Sequence, residues 1–178
     1  MQRAVAFSRS IDASKTLSQA LPGLLRMLKR GQAPSEQHLD CDVEHVDGTM
    51  NMRVRQNALD WLKADNADGS TCRILSNARC LSEGIDVPAL DGVIFFDTRE
   101  SVVDIVQSVG RVMRKAPGKD YGYIVLPVGI PAKKLANYDS YINSDPEFKG
   151  IWKVIKALRA HDESLVDEAE FRNKIKII

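Results

Sequence analysis

Arg73-Ile-Leu-Ser-Asn-Ala-Arg-Cys-Leu-Ser-Glu-Gly-Ile-Asp-Val-Pro88 is followed, after an apolar run ending at Asp97, by Gln107-Ser-Val-Gly-Arg111-Val-Met-Arg114. The first stretch opens as an apolar, β-prone strand over Cys72–Leu75. It then passes through the short polar pair Ser76-Asn77 to a turn holding the acid Asp86. Short apolar runs bounded by turn-forming residues suit strands buried on both faces of a parallel sheet. A strand, a polar turn, a second strand and a helix carrying two arginines define an α/β chain. Ligands of such chains collect at the carboxyl ends of the strands.

At 3.6 residues per turn, Gln107, Arg111 and Arg114 fall at i, i+4 and i+7 and share one helix face, with Asp104 close to it. Val102, Ile105, Val106, Val109 and Met113 form the apolar stripe expected to dock that helix on the sheet. Gly110 leaves room beside Arg111 for a backbone or ligand to come close. A plain amphipathic helix with solvated arginines is the competing reading. The planar, permanently charged guanidinium is nevertheless the side chain best suited to hold phosphate oxygens bidentately.

The rest of the chain repeats the alternation. Strands are expected near Ala4, Val43, Arg73, Gly92 and Tyr121, separated by helical segments, which gives a parallel sheet with right-handed crossovers. After the first strand come Ser8-Arg9-Ser10 and Asp12. A helix follows, with Leu17, Leu21, Leu24, Leu25 and Leu28 at core spacing, which Pro22-Gly23 must kink or divide. Val43 to Met50 reads as a strand entering a turn at Asp47-Gly48-Thr49, then a helix from Asn51 to Lys63. Amides at that helix start make a phosphate cradle, or else Asp47 or Thr49 simply caps the helix. The sheet domain is placed at residues 1–130. A helical extension at 131–178 includes a helix from Pro146 with Phe148, Ile151, Trp152, Ile155 and Leu158 on one face.

Composition agrees with a sizeable single core: 178 residues, 44% hydrophobic and 28% charged, with a net charge of +1. The charge is uneven. Six basic residues against one acid lie between Gln107 and Lys134, and five acids with no Lys or Arg lie between Glu36 and Asp47. Cys41, Cys72 and Cys80 lack metal-site spacing and read as reduced thiols of a cytoplasmic protein. The sequence shows no signal peptide and no membrane-spanning run. Gly118-Lys119 is followed by Asp120 and is not a phosphate-binding loop, while Asp167-Glu168-Ala169-Glu170 follows no apolar strand and reads as a solvated helix face.

Gly84-Ile-Asp-Val-Pro88 and Gln107-Ser-Val-Gly-Arg-Val-Met-Arg114 resemble motifs V and VI of superfamily 2 helicases and translocases, in their second RecA-like domain. Phe7-Ser-Arg-Ser10 is similar to motif IV, and the Asp47-Gly48-Thr49 turn to motif IVa. These runs, with Val43–Met50, Ser76–Gly84 and Leu158–Glu163, look like bacterial and phage helicases related to single-chain Type ISP restriction–modification enzymes. The resemblance implies that Arg111 and Arg114 reach the terminal phosphates of ATP and that Gln107 places the attacking water or the γ-phosphate. It implies that Gly84 and Asp86 face the nucleotide, with Asp86 at the ribose. Ser8, Arg9, Gly48, Thr49, Ser76 and Asn77 would meet a nucleic-acid backbone. It further implies ATP and Mg²⁺ held mainly by a preceding RecA-like ATPase domain, double-stranded DNA as partner, and nuclease and methyltransferase domains as neighbours. The isolated chain is then expected to be inactive. Two other classes stay open: a non-catalytic nucleic-acid or protein-binding module on this fold, and a stand-alone nucleotide enzyme, which would need its own Gly-rich loop.

Overall fold

The structure is a computed structural model that describes residues 1–30, 40–64, 69–78, 90–96, 109–110, 112, 119, 121–137, 140–141 and 144–160. Its centre is a five-stranded sheet built from β1 (Arg3–Phe7), β2 (Asp40–Asp47), β3 (Thr71–Ala78), β4 (Gly92–Phe95) and β5 (Tyr123–Val125). The spatial order is β2-β3-β1-β4-β5, and every pairing is parallel. This is a parallel α/β sheet flanked by helices, as the alternation of apolar runs implied, and it has the RecA-like form that the family resemblance implied.

Strand alternation decides the two layers. Val5, Phe7, Leu75, Val93 and Phe95 face one core, where they meet Ala58 and Leu62 of α2 (Met52–Lys63). Ala4, Ala6, Ile74 and Ile94 face the other, covered by Leu17 and Leu21 of α1 (Ile11–Arg30). Phe7 and Phe95, register partners on neighbouring strands, stack at 5.5 Å between ring centroids. Burying side chains of the size of Leu62 or Phe95 stabilises by about 1.5–3 kcal/mol each. Asp91 fixes the start of β1, accepting from the Gln2 and Arg3 amides at 2.7 and 2.8 Å.

Several expectations need correction. Pro22 does not divide α1, which runs unbroken for 20 residues. One lost amide donor is tolerated in a helix that the sheet already holds along its first half. Leu24 is 54% exposed and Leu25 37%, so the core stripe of α1 narrows after Leu21. The helical extension opens with a 3-10 segment over Ala132–Asn137. After a 3-10 turn at Pro146–Phe148, α3 occupies Lys149–Arg159. Its Val154 and Ala157 enter the main core, so this helix packs on the sheet.

Cys41 and Cys72 are buried register partners across β2 and β3, and both are free thiols. Their mutual hydrogen bond, with burial, pushes the Cys41 thiol well above its usual range. Cys80 and the Asp167–Glu170 stretch lie outside the described residues. Among the described residues no helix is long and apolar enough to cross a membrane.

Candidate functional site

Parallel pairing sends the carboxyl ends of all strands to one edge. In register, Val46 lies beside Asn77, Asn77 beside Phe7, and Phe7 beside Phe95. The ladder runs one step further, with the Ser8 amide donating to the Asn77 carbonyl and the Phe96 amide to the Phe7 carbonyl, both at 3.0 Å. Ser8, Arg9, Gly48, Thr49, Ser76 and Asn77 therefore share this edge. Their side chains are used very differently.

Arg9 is exposed, whereas Ser8 is buried. Ser10 begins α1, its Oγ accepting from the Ala13 amide at 3.1 Å, a normal cap for the first turn. The β2 end is more elaborate. Asp47 is 1% exposed, and its Oδ1 accepts from both the Thr49 amide at 2.8 Å and the Thr49 hydroxyl at 2.5 Å. Its Oδ2 lies 2.9 Å from His45 Nε2. The Thr49 hydroxyl, then His45, hold this carboxyl well below the usual carboxylate range, outweighing burial. Asp47 caps its own turn, not the helix. The cap of α2 is Asn51, whose Oδ1 accepts from the Val54 amide at 2.9 Å. Gly48 and Thr49 are exposed, but both Thr49 donors point back at Asp47, which leaves the residue only acceptor capacity outward.

Ser76 and Asn77 lie inside β3, which continues to Ala78. Both are fully buried. Ser76 Oγ sits 2.6 Å from Ser14 Oγ of α1, and Asn77 Nδ2 donates to the Ala6 carbonyl at 3.0 Å. Among the described residues, Asn77 Oδ1 has no hydrogen-bond partner. An open acceptor suits an incoming amide or guanidinium, not a phosphate oxygen. These two side chains thus anchor the edge from within. Ser14 and His45 belong to the same polar cluster and were not singled out as site residues; a cue was the i, i+2 spacing of His45 and Asp47, which puts both on one strand face.

On the arginine helix, Val109 and Val112 both enter the main core. Val112 was absent from the expected stripe, although it lies three residues beyond Val109. Gly110 is exposed, and a Cβ added there would meet nothing within 4 Å. Lys119 Nζ donates to the Leu90 carbonyl at 2.7 Å and to the Val112 carbonyl, tying this helix to the approach of β4. Burial lowers the Lys119 amine, opposed by Asp91. Gly84, Asp86, Gln107, Arg111 and Arg114 lie outside the described residues.

A parallel sheet of this order with helices on both faces defines a RecA-like domain. Residues 2–116 match the helicase conserved C-terminal domain model, well over half of the chain, and the chain belongs to that family. It is a superfamily 2 C-terminal helicase domain. The chain is similar to the ATP-dependent Type ISP restriction–modification enzyme LlaBIII, solved bound to DNA. Identity is 39% and the TM-score 0.80, over 99% of this chain and 11% of that one. A fragment described as an HsdR subunit of a type I restriction enzyme from Vibrio vulnificus shares the fold. Its TM-score is 0.53 at 21% identity, over 83% of this chain and 26% of that one. A protein of African swine fever virus described as "Probable helicase" is 40% identical over 57 residues, 32% of this chain and 7% of its own. The chain therefore spans only a small part of the length of these larger proteins.

Proposed function

We propose that the chain is the second motor domain of an ATP-dependent DNA helicase or translocase and works only with a preceding RecA-like ATPase domain. The single observation that carries this reading is the shared carboxyl edge, where the Arg9 loop and the Gly48 turn flank the end of β3 on one parallel sheet. Arg9 supplies charge to a phosphate backbone, Gly48 and Thr49 supply a close-fitting turn, and Ser8, Ser76 and Asn77 hold the edge in place. Such contacts read backbone and not sequence. DNA in the LlaBIII structure supports the choice of partner.

Gln107, Arg111 and Arg114 are assigned to the γ-phosphate, and Gly84 and Asp86 to the nucleotide. Asp47 is saturated by three donors and is not free to hold a metal. In this reading Mg²⁺ and most of the ATP contacts belong to the preceding domain, and the protein works in the cytoplasm.

The test uses the complete protein that contains this domain. Arg111→Ala or Arg114→Ala should lower DNA-stimulated ATP turnover by at least about a hundredfold and leave DNA binding nearly intact. Lys should not restore it, because an ammonium cannot reproduce the guanidinium fork. Near-normal turnover in both Ala variants would remove the arginines from the nucleotide site.

A further inference from the structure

One side chain ties together three segments of the carboxyl edge from beneath, and none of the roles above uses it. His45 lies on β2 with its side chain 8% exposed. Its Nε2 is 2.9 Å from Asp47 Oδ2, and its Nδ1 is 2.7 Å from Ser14 Oγ, which in turn is 2.6 Å from Ser76 Oγ. The cluster thus joins the end of β2, the first turn of α1 just after Arg9, and the end of β3.

A carboxylate only accepts, so His45 Nε2 donates to Asp47. Nδ1, the Ser14 hydroxyl and the Ser76 hydroxyl continue an unbroken hydrogen-bonded chain from β2 through α1 to β3. It starts on the same carboxylate that takes both Thr49 donors. Serine, histidine and aspartate in contact are also the parts of a nucleophilic relay. Ser14 is fully buried, however, so no substrate can reach its Oγ.

We propose that His45 is a positioning residue for the phosphate-backbone edge, holding the Asp47-Gly48-Thr49 turn in fixed relation to the Ser8–Ser10 loop and the end of β3. This rests on the reading of that edge as the DNA-contacting one. Without the imidazole, Asp47 loses one of three donors and Ser14 loses its link to β2. The exposed turn and the Arg9 loop then move independently, and the span they present to successive phosphates is no longer set. Nucleotide contacts are assigned to other segments and do not depend on this cluster.

The experiment is steady-state ATP turnover by the complete protein, titrated separately with double-stranded DNA and with ATP. His45→Ala should raise the half-saturating DNA concentration about tenfold and leave the KM for ATP within about twofold. His45→Gln, which keeps an amide donor for Asp47, should recover part of that loss. Ser14→Ala should cost less than His45→Ala, and adding it to His45→Ala should cost nothing more, since both cut the same chain. Equal shifts in both constants, in the Ala or the Gln variant, would show general loosening and overturn the positioning role. Arg9→Ala separates the two readings. If Arg9→Ala weakens DNA activation while a folded His45→Ala protein does not, the positioning role falls and the edge stands. If neither changes it, the edge reading falls and the inference with it.

Discussion

Arg73, in the middle of β3, closes the last turn of α2 through Trp61: its Nη1 donates to the Trp61 carbonyl at 2.9 Å, and its guanidinium lies 5.7 Å from the centre of the Trp61 ring. The same nitrogen also reaches the Ala64 carbonyl at 2.7 Å, where Arg3 adds a weaker bond at 3.3 Å. The last carbonyls of a helix have no partner within it, and a cation there also meets the negative end of the helix dipole. Arg73 therefore joins helix to sheet on the layer opposite α1.

Replacing Arg73 by Met keeps most of the apolar stem but removes the donors. The expected cost is about 1–3 kcal/mol, or roughly 2–4 °C in melting temperature for each kcal/mol in a chain of this size. Lys should recover only part of it, because an ammonium can donate to the carbonyls but lacks the planar face that lies over the Trp61 ring. Thermal unfolding of the three proteins measures this, and an unchanged midpoint for Met would mean that the carbonyls are equally well served by water.

What was legible in the sequence was the apolar skeleton. Ala4–Phe7 and Gly92–Phe95 are strands because continuous apolar runs must be buried on both faces, and α2 starts at the capping Asn51 and ends at Lys63 as read. The polar interior was not legible. Ser76 and Asn77 look like the beginning of a turn, yet β3 includes them because their partners, Ser14 and Ala6, lie 62 and 71 residues away. Spacing along a chain carries no information about such partners. Leu24 and Leu25 fit a helix-core pattern, but the sheet below α1 does not reach them. The edge residues of the candidate site were found by motif; the His45 cluster that holds them needed coordinates.

Asp47 makes a pH prediction. Its folded-state pKa is depressed below the ordinary carboxylate value of 3.8, so its contribution to stability is fully present above that value and is lost as pH falls through the folded pKa. Asp47→Asn should accordingly be less stable than the parent by a constant margin between about pH 5 and 8, and the two curves should converge as acid protonates the parent carboxyl. Thermal melts at half-unit pH steps read the margin. A gap that stays constant down to the acid limit would contradict a depressed carboxyl.

Gly110 separates packing from function. It sits between the core residues Val109 and Val112, and a Cβ added there meets nothing within 4 Å among the described residues. Gly110→Ala should stabilise this domain by up to about 1 kcal/mol through helix propensity. In the complete protein the same change should lower ATP turnover, because the open space next to Arg111 is where nucleotide or the preceding domain would approach. A variant that is both more stable and fully active would show that nothing comes close there.

Among the six residues assigned to the edge, the exposed cation is Arg9, while Thr49 turns its donors inward and Ser8, Ser76 and Asn77 are buried. Few phosphates can then be neutralised by this domain alone. Counterion release should be small, with a slope of log affinity against log salt of only about −1 to −3. Binding of DNA by the isolated chain should be weak and indifferent to sequence, and Arg9→Ala should flatten the slope by about one unit. Fluorescence anisotropy with unrelated duplexes over a salt series measures both quantities. Tight binding to one sequence with no salt dependence would mean that bases are read here, since backbone contacts give neither property. The edge would then have to present donors that Thr49, Ser76 and Asn77, as they are bonded in this fold, do not offer.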